Sequence, residues 1–176
     1  MRVTRSTLAR LVVPAASAVL ATLGSVPTTA AAASQNAAEV CEDICVNEVR
    51  AATHTGYDRV VFGLGAGLLP AVEAAYGASP WYMTPGGEPK EMSTRGSSYL
   101  FLSFKNAEAK DFSETNPHVE SFNLPTVKAT QLLFTTGSIL GFSPATDFGI
   151  ILEGSVSRYN VFTLTQPNRV VIDVYR

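Results

Sequence analysis

Two arginines in matching surroundings are the residues best suited to bind an acidic ligand. Arg59 stands in the run DRVVF at 58–62, and Arg169 stands in NRVVI at 168–172. A guanidinium group can hold a carboxylate through two parallel hydrogen bonds, or donate to saccharide oxygens. The alternative is structural: each arginine pairs with Asp58 or Asp173, or with carbonyl groups of a turn. The structural interpretation is preferred, because arginines beside strand ends commonly serve turns.

Trp81 and Tyr82, in the segment 80–89, are the aromatic residues best placed for sugar contact. A ring face offers an apolar platform to a pyranose, and loops on a rigid scaffold are where binding residues gather. The alternative is that Trp81 closes an open edge of the hydrophobic core. The sequence favours neither interpretation. The candidate ligand-binding set is therefore Arg59, Arg169, Trp81, Tyr82, Asp58 and Asp173.

Catalytic chemistry has little support in the sequence. His54 and His118 are the only histidines, and neither a Gly-x-Ser-x-Gly turn nor a His-Glu-x-x-His pattern is present. A triad of His54 with Asp58 or Asp173 and Ser97 or Ser98 could be written for almost any chain of this size. We therefore predict no catalytic residues and no cofactor. Four carboxylates are interpreted as solvated loop charges: Glu108, Asp111, Glu114 and Glu120.

The two cysteines, Cys41 and Cys45, lie close together near the start of the chain. A disulfide between them is the prediction for an exported protein. The alternative is a metal site that adds Asp43 and His54. Because the spacing differs from that of the common zinc knuckles and no second Cys/His pair exists, we predict no metal.

Residues 1–33 have the three regions of a secretory signal peptide: arginines at 2, 5 and 10, an apolar run over 11–23, and small residues at 30–33. The apolar run is shorter than the roughly 20 residues that a spanning helix needs. We expect cleavage, secretion into the cell envelope, and no transmembrane span in the mature protein. Residues 34–45 are then a flexible lead-in with the cysteine pair, and 46–176 form one domain.

The chain has 13 basic and 15 acidic residues, a net charge of −2. Three arginines and no acidic residue lie in 1–33, so removal of the signal peptide makes the charge three more negative, at −5. An acidic mature protein argues against nucleic acid and against anionic membrane surfaces as partners.

Short runs of alternating polar and apolar residues dominate the rest of the chain, with little convincing helix. They predict an all-β fold, a small β-sandwich of two sheets with about eight short strands. The segment 79–96 is predicted to be a long loop, and 106–124 a polar, irregular one. Segment 71–76 is either a strand or a short helix. The other strands are predicted at 46–53, 57–64, 98–105, 127–136, 148–152, 159–164 and 169–175.

Two related half-sheets would explain the similarity between 58–62 and 168–172; the alternative is a chance match of five residues. The strand at 169–175 is expected to complete the fold, with no catalytic module after it.

The run YNVFTLTQPNRVVIDV at 159–174 resembles the closing signature of AMIN domains, in which an aromatic-x-Val-Phe-x-Leu strand leads through a Pro-x-Arg turn into an apolar strand with an aspartate. The run VRAATHTGYDRVVF at 49–62 is similar to the opening of the AMIN-like branch of exported actinobacterial proteins. The resemblance spans 46–176.

This resemblance implies a β-sandwich and a non-catalytic role, because AMIN domains are best known as peptidoglycan-targeting modules of cell-wall amidases and envelope proteins. We therefore expect the chain to bind peptidoglycan or another cell-envelope glycan. The alternative is a protein-interaction module that docks onto an exported enzyme or envelope complex through a sheet edge. A small cell-wall hydrolase is the weakest hypothesis.

Overall fold

The computed structural model describes residues 44–110, 112, 118–137 and 141–176. The predicted signal peptide and most of the predicted lead-in lie outside these residues. Within them the chain is built from strands, as predicted. The strands are β1 (Ile44–His54), β2 (Tyr57–Leu64), β3 (Ala71–Gly77), β4 (Trp81–Met83), β5 (Pro89–Glu91), β6 (Ser98–Lys105), β7 (Ala107–Ala109), β8 (Val119–Ser121), β9 (Val127–Thr136), β10 (Ala145–Leu152), β11 (Arg158–Leu164) and β12 (Arg169–Tyr175).

Two five-stranded sheets form the sandwich. The first sheet has the strand order β11-β12-β2-β1-β7, and the second has the order β3-β6-β10-β9-β8. Neighbouring strands are antiparallel except β1 and β7, which are parallel. The chain passes from the second sheet to the first between β6 and β7 through the single residue Asn106, whose φ is 59°. Asparagine tolerates this left-handed conformation better than most residues.

Eight of these strands correspond to the eight runs of the sequence, including 71–77, which is a strand and not a helix. The remaining four, β4, β5, β7 and β8, have three residues each and lie in segments predicted to be loops. A strand that short is hard to see from alternation, since it spans barely more than one period of two. β1 begins at Ile44 and β10 at Ala145, each a few residues earlier than predicted.

The main hydrophobic core lies between the two sheets. Alternation along β2 buries Val60, Phe62 and Leu64 on the inner side. Phe62 contacts Phe104 and Phe148 of the second sheet, with ring centroids 5.1 and 4.9 Å away. Tilted aromatic packing of this kind adds a specific geometry to the apolar area that the sheets bury.

Strands β2 and β12 are antiparallel neighbours in the first sheet. Each of the similar runs at 58–62 and 168–172 therefore lies in its own antiparallel pair, β1–β2 or β11–β12, and the two pairs join at β2 and β12. Both strands bury one side in the shared core. The other side is half-buried at Tyr57, Arg59 and Val61 of β2, and on β12 it includes the buried residues Val171 and Asp173.

The segment 79–97 covers the outer side of the second sheet. It contains the hairpin β4–β5, so the loop predicted at 79–96 is partly ordered as strand. Tyr82 and Met92 pack on this side of the sheet, and a Cβ added at Gly149 would lie only 2.0 Å from Cε of Met92. The hairpin and its return thus cover a second, smaller apolar cluster, formed by Met92, Tyr99, Ala129, Leu133 and Ile151.

Candidate functional site

The outer side of the first sheet is not covered by any described segment. Four of its strands lie side by side there, and their register aligns alternate residues in four cross-strand rows. We call this surface the open face. Its rows, in the strand order β1, β2, β12 and β11, are Glu48, Gly63, Arg169 and Leu164; Arg50, Val61, Val171 and Phe162; Ala52, Arg59, Asp173 and Asn160; and His54, Tyr57, Tyr175 and Arg158.

Arg59 and Asp173 form a two-point ion pair between the middle strands of the open face. The distance from Nε to Oδ1 is 2.6 Å, and from Nη2 to Oδ2 it is 2.8 Å. The hydrogen bond to Asp173 raises the pKa of the Arg59 guanidinium, and burial partly opposes that change. Arg59 is 32% exposed and Asp173 only 6%, so the arginine still reaches solvent while the carboxylate does not. The structural pairing considered from sequence is the one observed.

Aromatic rings surround this ion pair. The Arg59 guanidinium lies 5.4 Å from the ring centroid of Tyr57 and 5.6 Å from that of Phe162. Cation–π contacts of this length hold a guanidinium at a defined height above the sheet. The arginine is therefore fixed both by its carboxylate and by the rings beside it.

The last row of the open face is a continuous stack. His54 and Tyr57 are stacked with centroids 4.8 Å apart, and Tyr57 lies 5.3 Å from Tyr175. The Arg158 guanidinium lies 4.3 Å from the centroid of the Tyr175 ring. This row presents aromatic surface followed by a cation, and His54 and Arg158 at its ends are exposed.

Arg169 is also on the open face, but at its opposite end, beside the turn that joins β11 to β12. Its Nε donates to the carbonyl of Pro167 at 3.2 Å, so it serves the turn, as the structural interpretation supposes. Arg59 and Arg169 are not brought together. Residue 59 pairs in register with Asp173, whereas residue 169 pairs with Gly63.

Asp58 does not share this surface. It lies on the inner side of β2 with no exposed area, and it accepts hydrogen bonds from the backbone N–H groups of Thr126 and Val127 at 2.6 and 3.0 Å. Arg176 approaches its other oxygen at 3.7 Å. Asp58 therefore ties the first sheet to the start of β9, and a bound ligand would not reach it.

Trp81 and Tyr82 lie on the other side of the molecule, on the hairpin over the second sheet. Tyr82 is the residue that packs on the apolar cluster, and its burial raises the pKa of the phenol. Trp81 points away from that cluster and is 55% exposed, next to exposed Met83. Trp81 is thus not a core residue, and it is separated from Arg59 and Asp173 by the full thickness of the sandwich.

The hypothetical triad is not assembled in the part of the chain that the structure describes. The His54 ring stacks on Tyr57, and no hydrogen bond of the described residues joins it to Asp58, Asp173 or a serine. Ser97 donates to the carbonyl groups of Leu152 and Gly154. Among the acidic residues predicted to be solvated, Glu108 and Glu120 are described, and each lies within ion-pair distance of a neighbouring basic side chain.

No group of three or more histidine, cysteine, aspartate and glutamate residues within 44–110, 112, 118–137 and 141–176 is arranged to hold a metal ion. Cys45 is the second residue of strand β1 and is buried, at 6% exposure. Cys41 and Asp43 lie outside the described residues, so the disulfide remains a prediction. No described helix is long and apolar enough to cross a membrane.

Several residues of the open face were not singled out from sequence. Tyr57, Tyr175, Arg158 and Phe162 become neighbours only through the register of β2, β12 and β11. The available signal was alternation, which places each of them on the side opposite the core residues of its own strand. Asp147 was missed as well: burial raises the pKa of its carboxyl, Ser103 and Lys105 oppose the rise, and Glu73 adds to it.

The fold is a small β-sandwich, and no described segment covers the aromatic and charged outer side of its first sheet. Comparison with protein families agrees: the AMIN-like domain matches residues 44–176, and the chain belongs to that family. AMIN-type domains are generally non-catalytic binding modules of cell-wall-associated proteins. Comparison with curated proteins and with solved structures found no match.

Proposed function

We propose that this protein is an exported, non-catalytic module that binds peptidoglycan through the open face. The observation that carries the proposal is the composition of that face, where aromatic rings and guanidinium groups lie in register on an uncovered sheet. Family membership supports a cell-wall role, and the signal-peptide pattern of residues 1–33 supports export.

The chemistry of these groups fits a glycan that carries peptides. The exposed ring of His54, which is stacked on Tyr57, can contact the apolar side of a pyranose. Guanidinium groups donate several hydrogen bonds in one plane, which suits carboxylate, amide and hydroxyl oxygens. Because Arg59 is already oriented by Asp173, it loses little conformational freedom when a ligand binds.

Co-sedimentation of the purified protein with insoluble peptidoglycan tests this proposal. His54→Ala removes an exposed ring from the open face, and Trp81→Ala removes an exposed ring from the opposite side of the sandwich. We expect the first variant to weaken binding and the second to leave it unchanged. Failure of the wild-type protein to sediment above a non-binding control protein would refute the proposal, and loss of binding only in Trp81→Ala would move the site to the hairpin.

A second candidate function is docking onto an exported protein through strand β11. This strand is an edge of the first sheet, pairs only with β12 among the described strands, and has no proline or lysine over its seven residues. Such an edge is open to strand addition. Asn160→Lys places a charge on that edge, so it should abolish pull-down of a β11 partner from an envelope extract. Peptidoglycan binding without any such partner would reject this alternative.

A further inference from the structure

The open face has a charge opposite to that of the protein as a whole. Its four rows contain four arginines and two acidic residues, whereas the full chain has a net charge of −2. Excess positive charge on one side of an acidic protein orients that side toward anionic groups. The arginines are Arg50, Arg59, Arg158 and Arg169, and the acidic residues are Glu48 and Asp173.

Two of these arginines are already neutralised within the face. Arg59 is held by Asp173, and Arg50 lies 2.8 Å from Glu48. Arg158 and Arg169 have no acidic partner among the residues that the structure describes. Arg169 donates a hydrogen bond to the carbonyl of Pro167. Arg158 differs from the other three, because its guanidinium contacts only an aromatic ring among the described residues.

The contact with Tyr175 gives Arg158 a defined position. Its guanidinium lies 4.3 Å from the ring centroid, and the ring is supported in turn by Tyr57. A guanidinium held by its flat side on a ring still has N–H donors around its edge. An exposed, pre-positioned fork of this kind matches the two oxygens of a planar carboxylate.

The spacing of the cations argues for a single negative charge at this place. Arg169 lies six residues from Tyr175 along β12, which is about 20 Å in a strand. A polyphosphate would be better served by several unpaired cations within a few ångströms. At this end of the face Arg59 is paired with Asp173, and Arg176 lies 3.7 Å from Asp58 and donates to the carbonyl of His54, which leaves Arg158 among the described residues. The arrangement fits a monoanion attached to a larger ligand that also covers the rings.

We propose that Arg158, supported by Tyr175, is a subsite for a free carboxylate, and that in peptidoglycan this carboxylate belongs to the stem peptide. The inference rests on the proposed function of the open face. It adds that the ligand includes the peptide as well as the glycan. Arg158 binds the peptide carboxylate, and the row from Tyr175 to His54 contacts the remainder of the bound peptidoglycan.

The experiment uses peptidoglycan from which covalently attached phosphate polymers have been extracted, before and after carbodiimide amidation of its free carboxyl groups. Binding of the purified protein is measured by co-sedimentation over a range of concentrations. Loss of a charge-assisted hydrogen-bonding pair is expected to weaken wild-type binding about tenfold on amidated material. Arg158→Ala should bind untreated material as weakly as the wild type binds amidated material, and should not distinguish the two.

Arg95→Ala is the matched control, because Arg95 is 86% exposed, pairs with Glu91 near the hairpin, and lies away from the open face. It should keep the wild-type preference for untreated material. Arg158→Lys retains the charge without the planar fork, so its affinity should fall between those of the wild type and Arg158→Ala. A polyuronate of similar length, added as competitor, distinguishes a peptide carboxylate from a sugar carboxylate: we expect no competition.

Equal binding of the wild type to untreated and amidated peptidoglycan would overturn the carboxylate subsite and leave the proposed function intact. Competition by the polyuronate would overturn the assignment to the stem peptide. Binding that disappears when the phosphate polymers are extracted would overturn both the carboxylate and its source. Absence of binding to every preparation would instead refute the proposed function.

Discussion

The two sheets of this sandwich differ in the residues on their outer sides and in whether those residues are covered. On the outer side of the second sheet, Tyr99, Leu133 and Ile151 are apolar, and the segment 79–97 covers them. On the outer side of the first sheet, the corresponding positions hold residues such as Arg59 and Asp173, and no described segment covers them.

This difference supports the proposal that the first sheet carries the binding surface. A strand in a two-layer protein has one side in the core. Its other side is either polar or covered by another segment of the chain. Segment 79–97 covers apolar residues on the outer side of the second sheet, so this side contributes to stability. The outer side of the first sheet keeps ordered guanidinium groups and the His54 ring at least partly in contact with solvent, as a binding surface would.

The largest effect is expected where the cover is attached to the second sheet. A Cβ added at Gly96 would lie 2.4 Å from the carbonyl oxygen of Leu152 and 2.6 Å from Cγ2 of Ile151. Because the first of these atoms is backbone, it cannot move aside cheaply. Gly96→Ala should lower the free energy of unfolding by about 2–4 kcal/mol, measured by urea denaturation.

Gly86→Ala is the control within the same segment. The nearest atom to its added Cβ is Oγ1 of Thr84 at 3.8 Å, an ordinary contact. Its effect should stay within about 0.5 kcal/mol. Equal stability of the two variants would mean that the return of segment 79–97 does not pack on β10 as described.

The next effect distinguishes the two aromatic residues of the hairpin. Tyr82→Ala removes a half-buried ring from the second apolar cluster and should cost about 1–3 kcal/mol. Trp81→Ala removes a ring that is 55% exposed and should cost less than about 0.5 kcal/mol. Thermal and urea denaturation measure both. If Trp81→Ala is the more damaging variant, Trp81 and not Tyr82 closes the cluster.

On the open face the expected cost is smaller, because Arg59 stays partly in solvent when its partner is removed. Asp173→Ala leaves Arg59 without its carboxylate and should lower the free energy of unfolding by about 1–2 kcal/mol. Glu48→Ala breaks the exposed pair with Arg50 and should cost less than about 1 kcal/mol. Similar losses in the two variants would show that the Arg59 pair is no stronger than an ordinary surface pair.

Much of this architecture could be predicted from residue patterns. Strict alternation in the run 57–64 puts Val60 and Phe62 on one side of the strand and Arg59 on the other, and this is the arrangement in the structure. The three-residue strands could not be found in this way, and neither could the role of 79–96. Which sheet a loop covers depends on the tertiary arrangement, and its own residues do not reveal it.

The sequence predicted several candidate site residues, but the fold does not bring all of them together. Arg59 and Asp173 could be proposed as partners, but they were two of several options until β2 and β12 were known to be neighbours. Asp58 precedes Arg59 in the chain and yet points to the core, because successive side chains in a strand face opposite ways. Trp81 is exposed as a binding residue would be, but it lies across the sandwich from the arginines.

The smallest expected effect concerns Asp147, a polar residue on the outer side of the second sheet. Burial raises the pKa of Asp147 above its ordinary value of 3.8, so the folded protein binds this proton more tightly than the unfolded chain. The Asp147 contribution therefore favours folding in acid and is lost as the pH rises through the folded-state pKa. Asp147→Asn carries no charge to bury, and it should be more stable than the wild type at about pH 7, with the gain gone by about pH 3.

The gain should stay below about 1 kcal/mol, since this carboxyl is only partly buried and Lys105 lies near it. Urea denaturation of both proteins at several pH values measures the difference, which matters more than either absolute stability. A variant that is less stable than the wild type at neutral pH would show that the charged form of Asp147 is favoured in the fold. The outer side of the second sheet would then hold a stabilising charge like that of Asp173, and the contrast between the two sheets would be confined to the area beneath the hairpin.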